Sequence, residues 1–210
     1  MPHGYAIMSA QGLVHGPLGD DCLHVCVDMQ RLFAPGSPWE VPWLEPVLPA
    51  VEKLAFRHAT RTVFTRFVPP VRAEEMPGSW QRYYRRWQSV TLEQMDPQFV
   101  ELVPALSRFV PPASVVDKRV YSPWTEGNFD RLLSGSGVTS IVVTGGETDV
   151  CVLATILGAV DRGYRTIVAT DAICSSADET HDALMQLYRT RFSEQIEMAT
   201  VEEILESWRS

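Results

Sequence analysis

Short apolar runs alternate with stretches of helical periodicity along this chain. Leu23 to Val27 (LHVCV) predicts a buried strand rich in β-branched residues. Leu44 to His58 places Val47, Leu48, Val51, Leu54 and Ala55 at helical spacing. Thr62 to Phe67 (TVFTRF) predicts a second strand. A polar, aromatic-rich excursion follows from Val68 to about Leu92, with Trp80, Tyr83, Tyr84 and Trp87. Asp96-Pro97 predicts a helix running to about Leu106, with Asp as N-cap and Pro in the first turn. Ser114 to Asp117 (SVVD) is a third strand, and Asn128 to Leu133 a short helix closed by Ser-Gly-Ser-Gly.

The second half is more regular. Ser140 to Thr144 (SIVVT) is a continuous apolar run, the pattern of a parallel strand covered on both faces. Gly145-Gly146-Glu147-Thr148 turns the chain into an amphipathic helix, Asp149 to Arg162, ended by Gly163. Thr166 to Thr170 (TIVAT) is the next strand, then a helix from Asp178 to about Phe192, a short strand Ile196 to Thr200 and a terminal helix. Strand and helix in strict alternation imply right-handed crossovers. The predicted fold is α/β: a three-layer α/β/α arrangement, Rossmann-like, around a parallel sheet of about six strands. No linker or repeat divides the chain, so residues 1–20 read as a flexible arm and 21–210 as one domain.

Composition narrows the functions open to such a fold. The chain has 210 residues, 45% hydrophobic and 21% charged, as expected of a folded globular protein. Its formal net charge of −8 opposes a phosphate backbone and argues against nucleic acid as a partner. No apolar run approaches the ~20 residues that span a bilayer, which argues against a membrane partner. The first 21 residues lack the pattern of an export signal, so a cytoplasmic protein with reduced thiols is the expectation. Cys22 and Cys26 lie four apart, but no second pair completes a zinc site with them.

Ligands of open α/β sheets bind at the carboxyl ends of the strands. Asp28 follows the first strand, Lys118 the third, and Cys151 the glycine turn after the fourth. Each has a bland alternative: a turn aspartate, a solvated lysine, a small core cysteine. Together at matching strand ends they suggest a nucleophile and its partners. Thr148 as N-cap would place Cys151 in a helix's first turn, where orphan N–H groups and the helix dipole favour a thiolate. Backbone N–H groups of Glu147 and Cys151 could form an oxyanion hole. Asp28 is the candidate base, and Lys118 could hold it in place.

HVCVDMQRLF and DKRVYSPWTEGNFDRLLSGSGVTSIVVTGGETDVCVLATILGAVDRGYRTIVATDA, in that order, resemble the isochorismatase-like cysteine hydrolases, which include nicotinamidases and N-carbamoylsarcosine amidases. The resemblance runs over most of Leu23 to Ala199. It implies an Asp–Lys–Cys triad at Asp28, Lys118 and Cys151, a cis peptide at Gly146-Glu147, no cofactor and assembly as a homo-oligomer. The implied activity is hydrolysis of a C–N bond in a small non-peptide amide, carbamoyl or ureido compound through a thioester. Members that act on isochorismate can lack the cysteine, so Cys151 favours C–N cleavage. Nicotinamidases bind a divalent metal through an Asp-x-His and a further His after strand two. Here TRFVPPVRAEEMPGSW has no histidine, and no metal site is expected.

Substrate contacts are less constrained. Arg66 either clamps a substrate carboxylate, which would make the substrate anionic, or forms a surface ion pair. Gln30 could orient Asp28 or a ligand. Phe33, Trp80, Tyr121 and Trp124 are candidates for pocket walls or for subunit contacts. The Trp80 to Trp87 cluster suits a lid or a dimer contact better than nucleic-acid stacking. Two other functions fit the same residues: vinyl ether hydrolysis of the isochorismatase type, and small-molecule binding without catalysis.

Overall fold

The computed structural model describes residues 12–209. Six strands form one parallel sheet in the order β3-β2-β1-β4-β5-β6. They are β1 (Cys22–Val27), β2 (Thr62–Phe67), β3 (Ser114–Lys118), β4 (Ser140–Gly146), β5 (Arg165–Cys174) and β6 (Ile196–Ala199). Among the described residues the α helices are α1 (Leu44–Arg57), α2 (Gly78–Arg86), α3 (Pro104–Ser107), α4 (Asn128–Leu133), α5 (Leu153–Asp161), α6 (Asp178–Arg191) and α7 (Val201–Ser207).

Side-chain alternation along the strands builds the three layers. Cys22, Cys26, Phe64, Val142 and Ile167 pack with Val51, Leu54 and Ile204 of α1 and α7. Their neighbours Leu23, Val25, Val27, Ile141, Val143 and Val168 pack with Phe129, Ile156 and Tyr188 of α4, α5 and α6. Both faces of β1 and β4 are thus covered, which is why these strands read as unbroken apolar runs. A third cluster lies outside the sheet. Leu32, Met76, Tyr84 and Val90 gather there around Phe67, at the end of β2.

Strand order reverses direction between β1 and β4, both of which pair directly with each other. That switch point leaves a crevice at their carboxyl ends. Gly145 sits there with φ +102°, and a Cβ would come within 2.1 Å of the Val27 carbonyl oxygen. Only glycine allows the two strands to approach so closely.

Several elements differ from expectation. The helix expected at 96–106 is a 3₁₀ turn (Pro97–Val100) and the single turn α3. Asp96 does cap the 3₁₀ turn, accepting from the Gln98 N–H at 2.9 Å, but Pro104 biases Val103 towards extended backbone and interrupts the helix. The helix expected from Asp149 opens instead as a wide π turn, Thr148–Val152. The aromatic excursion contains a helix, α2, which carries Trp80, Tyr83 and Tyr84 at i, i+3 and i+4, with Trp87 at its C-cap. Of the expected arm, residues 1–11 lie outside the described residues. Residues 12–20 are tied down: Leu18 is buried, its N–H donates to the Ser207 carbonyl at 3.1 Å, and its carbonyl accepts from Arg209 at 2.9 Å.

His24 lies at the middle of β1, wholly buried, between the hydroxyls of Thr62 (3.1 Å) and Thr144 (2.8 Å). Burial, reinforced by His58, pushes its pKa down to about 3. An unfolded histidine titrates near 6.5, so on acidification the unfolded chain takes up its proton first. The stability this group contributes is complete above about pH 6.5 and declines as pH falls toward 3. His24 alone is expected to cost about 2 kcal/mol of stability at pH 5 relative to pH 7. Urea unfolding at both pH values checks this. His24→Gln should flatten the dependence, and an equally steep variant would contradict the assignment.

Candidate active site

Asp28 leaves β1 with φ 51°, a left-handed conformation uncommon outside glycine and held here by its surroundings. Its backbone N–H donates to the Thr65 carbonyl and hydroxyl, both at 3.2 Å. The Thr65 hydroxyl donates in turn to Asp28 Oδ1 at 2.6 Å. On β3, alternation buries Val116 and Lys118 and exposes Asp117. Lys118 Nζ donates to Asp28 Oδ2 at 2.6 Å, to the Val120 carbonyl at 3.3 Å and to Cys151 Sγ at 3.4 Å. An ammonium group has three protons, and all three have partners. Asp28 and Lys118 are each 1% exposed. The structure therefore brings the three expected residues together.

Burial pushes the Cys151 thiol well above its ordinary pKa, and the Lys118 charge pulls against it. This corrects the expectation of a thiolate stabilised by a helix N-terminus. The π turn starts at Thr148, and desolvation dominates at the sulfur. Lys118 moves the other way. Burial opposes its charge, but Asp28 and Cys151 outweigh it and keep the ammonium protonated. The resting arrangement is a neutral thiol beside a buried ion pair, with the ammonium bonded to both the carboxylate and the sulfur.

Around the sulfur the backbone is closely constrained. The Gly146–Glu147 peptide is cis. The Glu147 carbonyl accepts from Val150 (3.1 Å) and Val152 (3.0 Å), which closes the π turn. Thr148 does not act as N-cap: its hydroxyl donates to the Cys174 carbonyl at 3.1 Å and contacts His181 Nδ1 at 2.9 Å. Asp149 accepts from Ser175 and Thr180, and Glu147 from the Ser176 N–H at 2.7 Å. The segment after β5 thus clamps the cysteine turn.

A cavity of about 480 Å³ opens onto Cys151, Gly146 and Glu147. Phe33 and Tyr121 line it, as expected of pocket walls. Trp39, Phe67, Tyr83 and Trp87 line it too, and the sequence reading had not singled them out for it. Helical spacing could have found Tyr83 and Trp87, which are four apart, on α2 and at its C-cap. Thr65 was also missed, although it shares a strand face with Val63 and Phe67.

Four expected substrate contacts lie elsewhere. Arg66 falls on the opposite face of β2 from Phe67 and is held by Asp117 (2.8 and 3.0 Å) and Glu101 (2.9 Å), so it is no carboxylate clamp. Gln30 is wholly buried and joins the exit of β1 to β2 and the following loop. It accepts from the Phe67 N–H at 2.7 Å and donates to the carbonyls of Phe67 (3.1 Å) and Val100 (2.7 Å), leaving no amide proton for Asp28 or a ligand. Trp124 lies against α5, where its indole donates to the Thr155 carbonyl at 2.9 Å, and a Cβ on Gly158 would come within 2.1 Å of the ring. Trp80 sits one layer behind the cavity, 4.7 Å from Tyr121 between ring centroids.

The loop after β2 does not fit a divalent metal. Pro69, Pro70, Ala73 and Met76 are buried in it, and Glu74 and Glu75 pair with Arg85 and Arg119. Among the described residues no three His, Cys, Asp or Glu side chains converge.

The family model of the isochorismatase domain matches residues 22–200. A nicotinamidase of Arabidopsis thaliana is 30% identical over 74 residues, 35% of this chain and 37% of that protein. The chain spans well under two thirds of the length of the curated relatives it matches. Among solved structures, a cysteine hydrolase from Pseudomonas syringae pv. phaseolicola superposes with a TM-score of 0.76 and 25% identity, over 89% of this chain and 92% of that one. The N-carbamoylsarcosine amidase of Thermoplasma acidophilum does so with a TM-score of 0.68 and 22% identity, over 86% and 96%.

Lys118→Met removes the charge paired with Asp28. Leaving that carboxylate buried is expected to cost about 3–5 kcal/mol of unfolding free energy, measured by urea titration. Alkylation of Cys151 by iodoacetamide should slow, because the charge that favours the thiolate is gone. A variant of full stability and unchanged alkylation rate would show that the pair does not hold the site.

Proposed function

Since the chain belongs to the isochorismatase family, we propose that it is a cysteine hydrolase that cleaves a C–N bond in a small non-peptide amide, carbamoyl or ureido compound. The observation that carries this reading is the single ammonium of Lys118, bonded at once to Asp28 Oδ2 (2.6 Å) and Cys151 Sγ (3.4 Å) at the floor of the cavity. Two of the similar proteins bear the names nicotinamidase and amidase, which supports an amide-type substrate.

Asp28 takes the Cys151 proton as the sulfur attacks the substrate carbonyl carbon. A neutral resting thiol suits this step, since transfer to an adjacent carboxylate needs no standing thiolate. Lys118 stays protonated and keeps the carboxylate oriented while the negative charge passes from oxygen to sulfur. The carbonyl oxygen becomes an oxyanion, received by the backbone N–H groups of Glu147 and Cys151. The C–N bond then breaks, Asp28 returns its proton to the departing nitrogen, and a thioester remains on Cys151. Water, deprotonated by Asp28, attacks the thioester and releases the acid. Sulfur takes back the proton.

Ammonia release from a panel of small amides, carbamoyl amino acids and ureido acids tests this. Cys151→Ala and Asp28→Asn should each abolish release from whichever compound wild type cleaves. Persistence in Cys151→Ala would remove the thiol from the mechanism. Thr65→Val, which deletes the donor to Asp28 Oδ1, should lower kcat about tenfold to hundredfold with little change in KM. Thr65→Ser should restore most of it, and an unchanged kcat in Thr65→Val would remove Thr65 as a positioning residue.

A further inference from the structure

The cavity above Cys151 has a recognisable chemical character. Trp39 is its aromatic hub. Ring centroids lie 6.3 Å away for Phe33, 5.9 Å for Tyr83 and 6.0 Å for Trp87. The Tyr83 and Trp87 rings are inclined to Trp39 by 56° and 83°. Mutual inclination of this kind lets ring faces converge on a common volume, and the faces of aromatic rings carry the negative side of the quadrupole.

The formal charges agree in sign. Among the described residues lining the cavity, the charged carboxylates are Glu40 and Glu147. Both are fixed by backbone N–H groups, Glu40 by Gly36 at 2.8 Å and Glu147 by Ser176 at 2.7 Å. No arginine or lysine lines the cavity among those residues. Arg66 is committed to Asp117 and Glu101, and Lys118 is buried against Asp28. Arg86 lies 5.8 Å from the Trp87 centroid but is exposed and outside the lining. Burial first, then Tyr121, Glu147 and Cys151, push the Tyr83 hydroxyl up to about 12.

We propose that this cavity selects amides that carry an organic ammonium group, with the cation held by Trp39, Tyr83 and Trp87 and balanced by Glu40. The identity of the scissile group rests on the amidase reading above; the preference for a cation rests on the cavity. An anionic substrate would meet two carboxylates and no free cation. A quaternary ammonium gains from the ring faces without losing strong hydrogen bonds to water, because it has no N–H to donate.

Three amides of similar size separate the possibilities. Trimethylammonioacetamide is cationic, 3,3-dimethylbutanamide is its neutral isostere, and succinamate is anionic. Binding to Cys151→Ala, followed by calorimetry, is expected to be at least tenfold tighter for the cation than for the isostere, and weakest for the anion. Glu40→Gln should reduce that ratio about threefold, and Trp39→Leu should bring it close to one. Equal or weaker binding of the cation, or no binding of it, would overturn the proposal. Ammonia release by wild type from the same three amides reads the chemistry separately. Release that depends on Cys151 but ignores charge would leave the hydrolase reading intact and sink the cation preference. Preferential binding with no release from any of them would do the reverse.

Discussion

Burying one ion pair beside a thiol is the constraint on which the rest of the site depends. Removing a carboxylate and an ammonium from water costs several kcal/mol per ion, and mutual attraction offsets this only when the remaining polar positions are also satisfied. Asp28 and Lys118 are each 1% exposed, so the fold must supply those partners itself. It does so from β2 and β3. Thr65 on β2 fills Asp28 Oδ1, Lys118 on β3 fills Oδ2, and Val120 just beyond β3 takes another lysine proton. The positive φ of Asp28 belongs to the same arrangement: it turns the carboxylate back over the sheet end, where its N–H can still pair with Thr65.

Cys151 completes the site from the other side of the switch point. Its turn cannot slide along β4, because Gly145 fits against Val27 only without a Cβ, and the segment after β5 grips the turn through Thr148, Asp149 and Glu147. Sheet register fixes the distance from sulfur to ammonium. Recognition has a different origin. The aromatic lining comes from the loop after β1, which gives Phe33 and Trp39, and from α2 between β2 and β3, which gives Tyr83 and Trp87. These insertions pack on one another around Phe67, the last residue of β2.

That division explains what could be read from the sequence. Asp28, Lys118 and Cys151 were legible because each lies at or just beyond the carboxyl end of a strand, where ligands of such sheets bind. The sheet was legible from unbroken runs such as SIVVT. Arg66 was misplaced by a single step of parity. It adjoins Phe67, which faces the cavity, and therefore points to the opposite face, where Asp117 stands in register across β3. Trp124 was misplaced because nothing in its local sequence reveals Gly158, whose missing side chain makes the slot that the indole fills. Gln30 shows the complementary failure. A polar residue two positions after Asp28 suggests chemistry, yet its amide is consumed by backbone groups that the turn would otherwise strand in the interior.

Charge sorting follows from the same geometry. A site built on a buried Lys–Asp pair has no net charge to offer a ligand, because the ammonium is neutralised where it stands. Any charge preference must then come from the cavity wall. Here that wall combines aromatic rings with carboxylates whose positions are set by backbone N–H groups, Glu40 by Gly36 in its own loop and Glu147 by Ser176 after β5. Had Arg66 reached the cavity, its guanidinium would have offset one of the two carboxylates. Its pairing with Asp117 and Glu101 on the far face of β2 removes it, and leaves the acidic residues and ring quadrupoles as the determinants of what can approach Cys151.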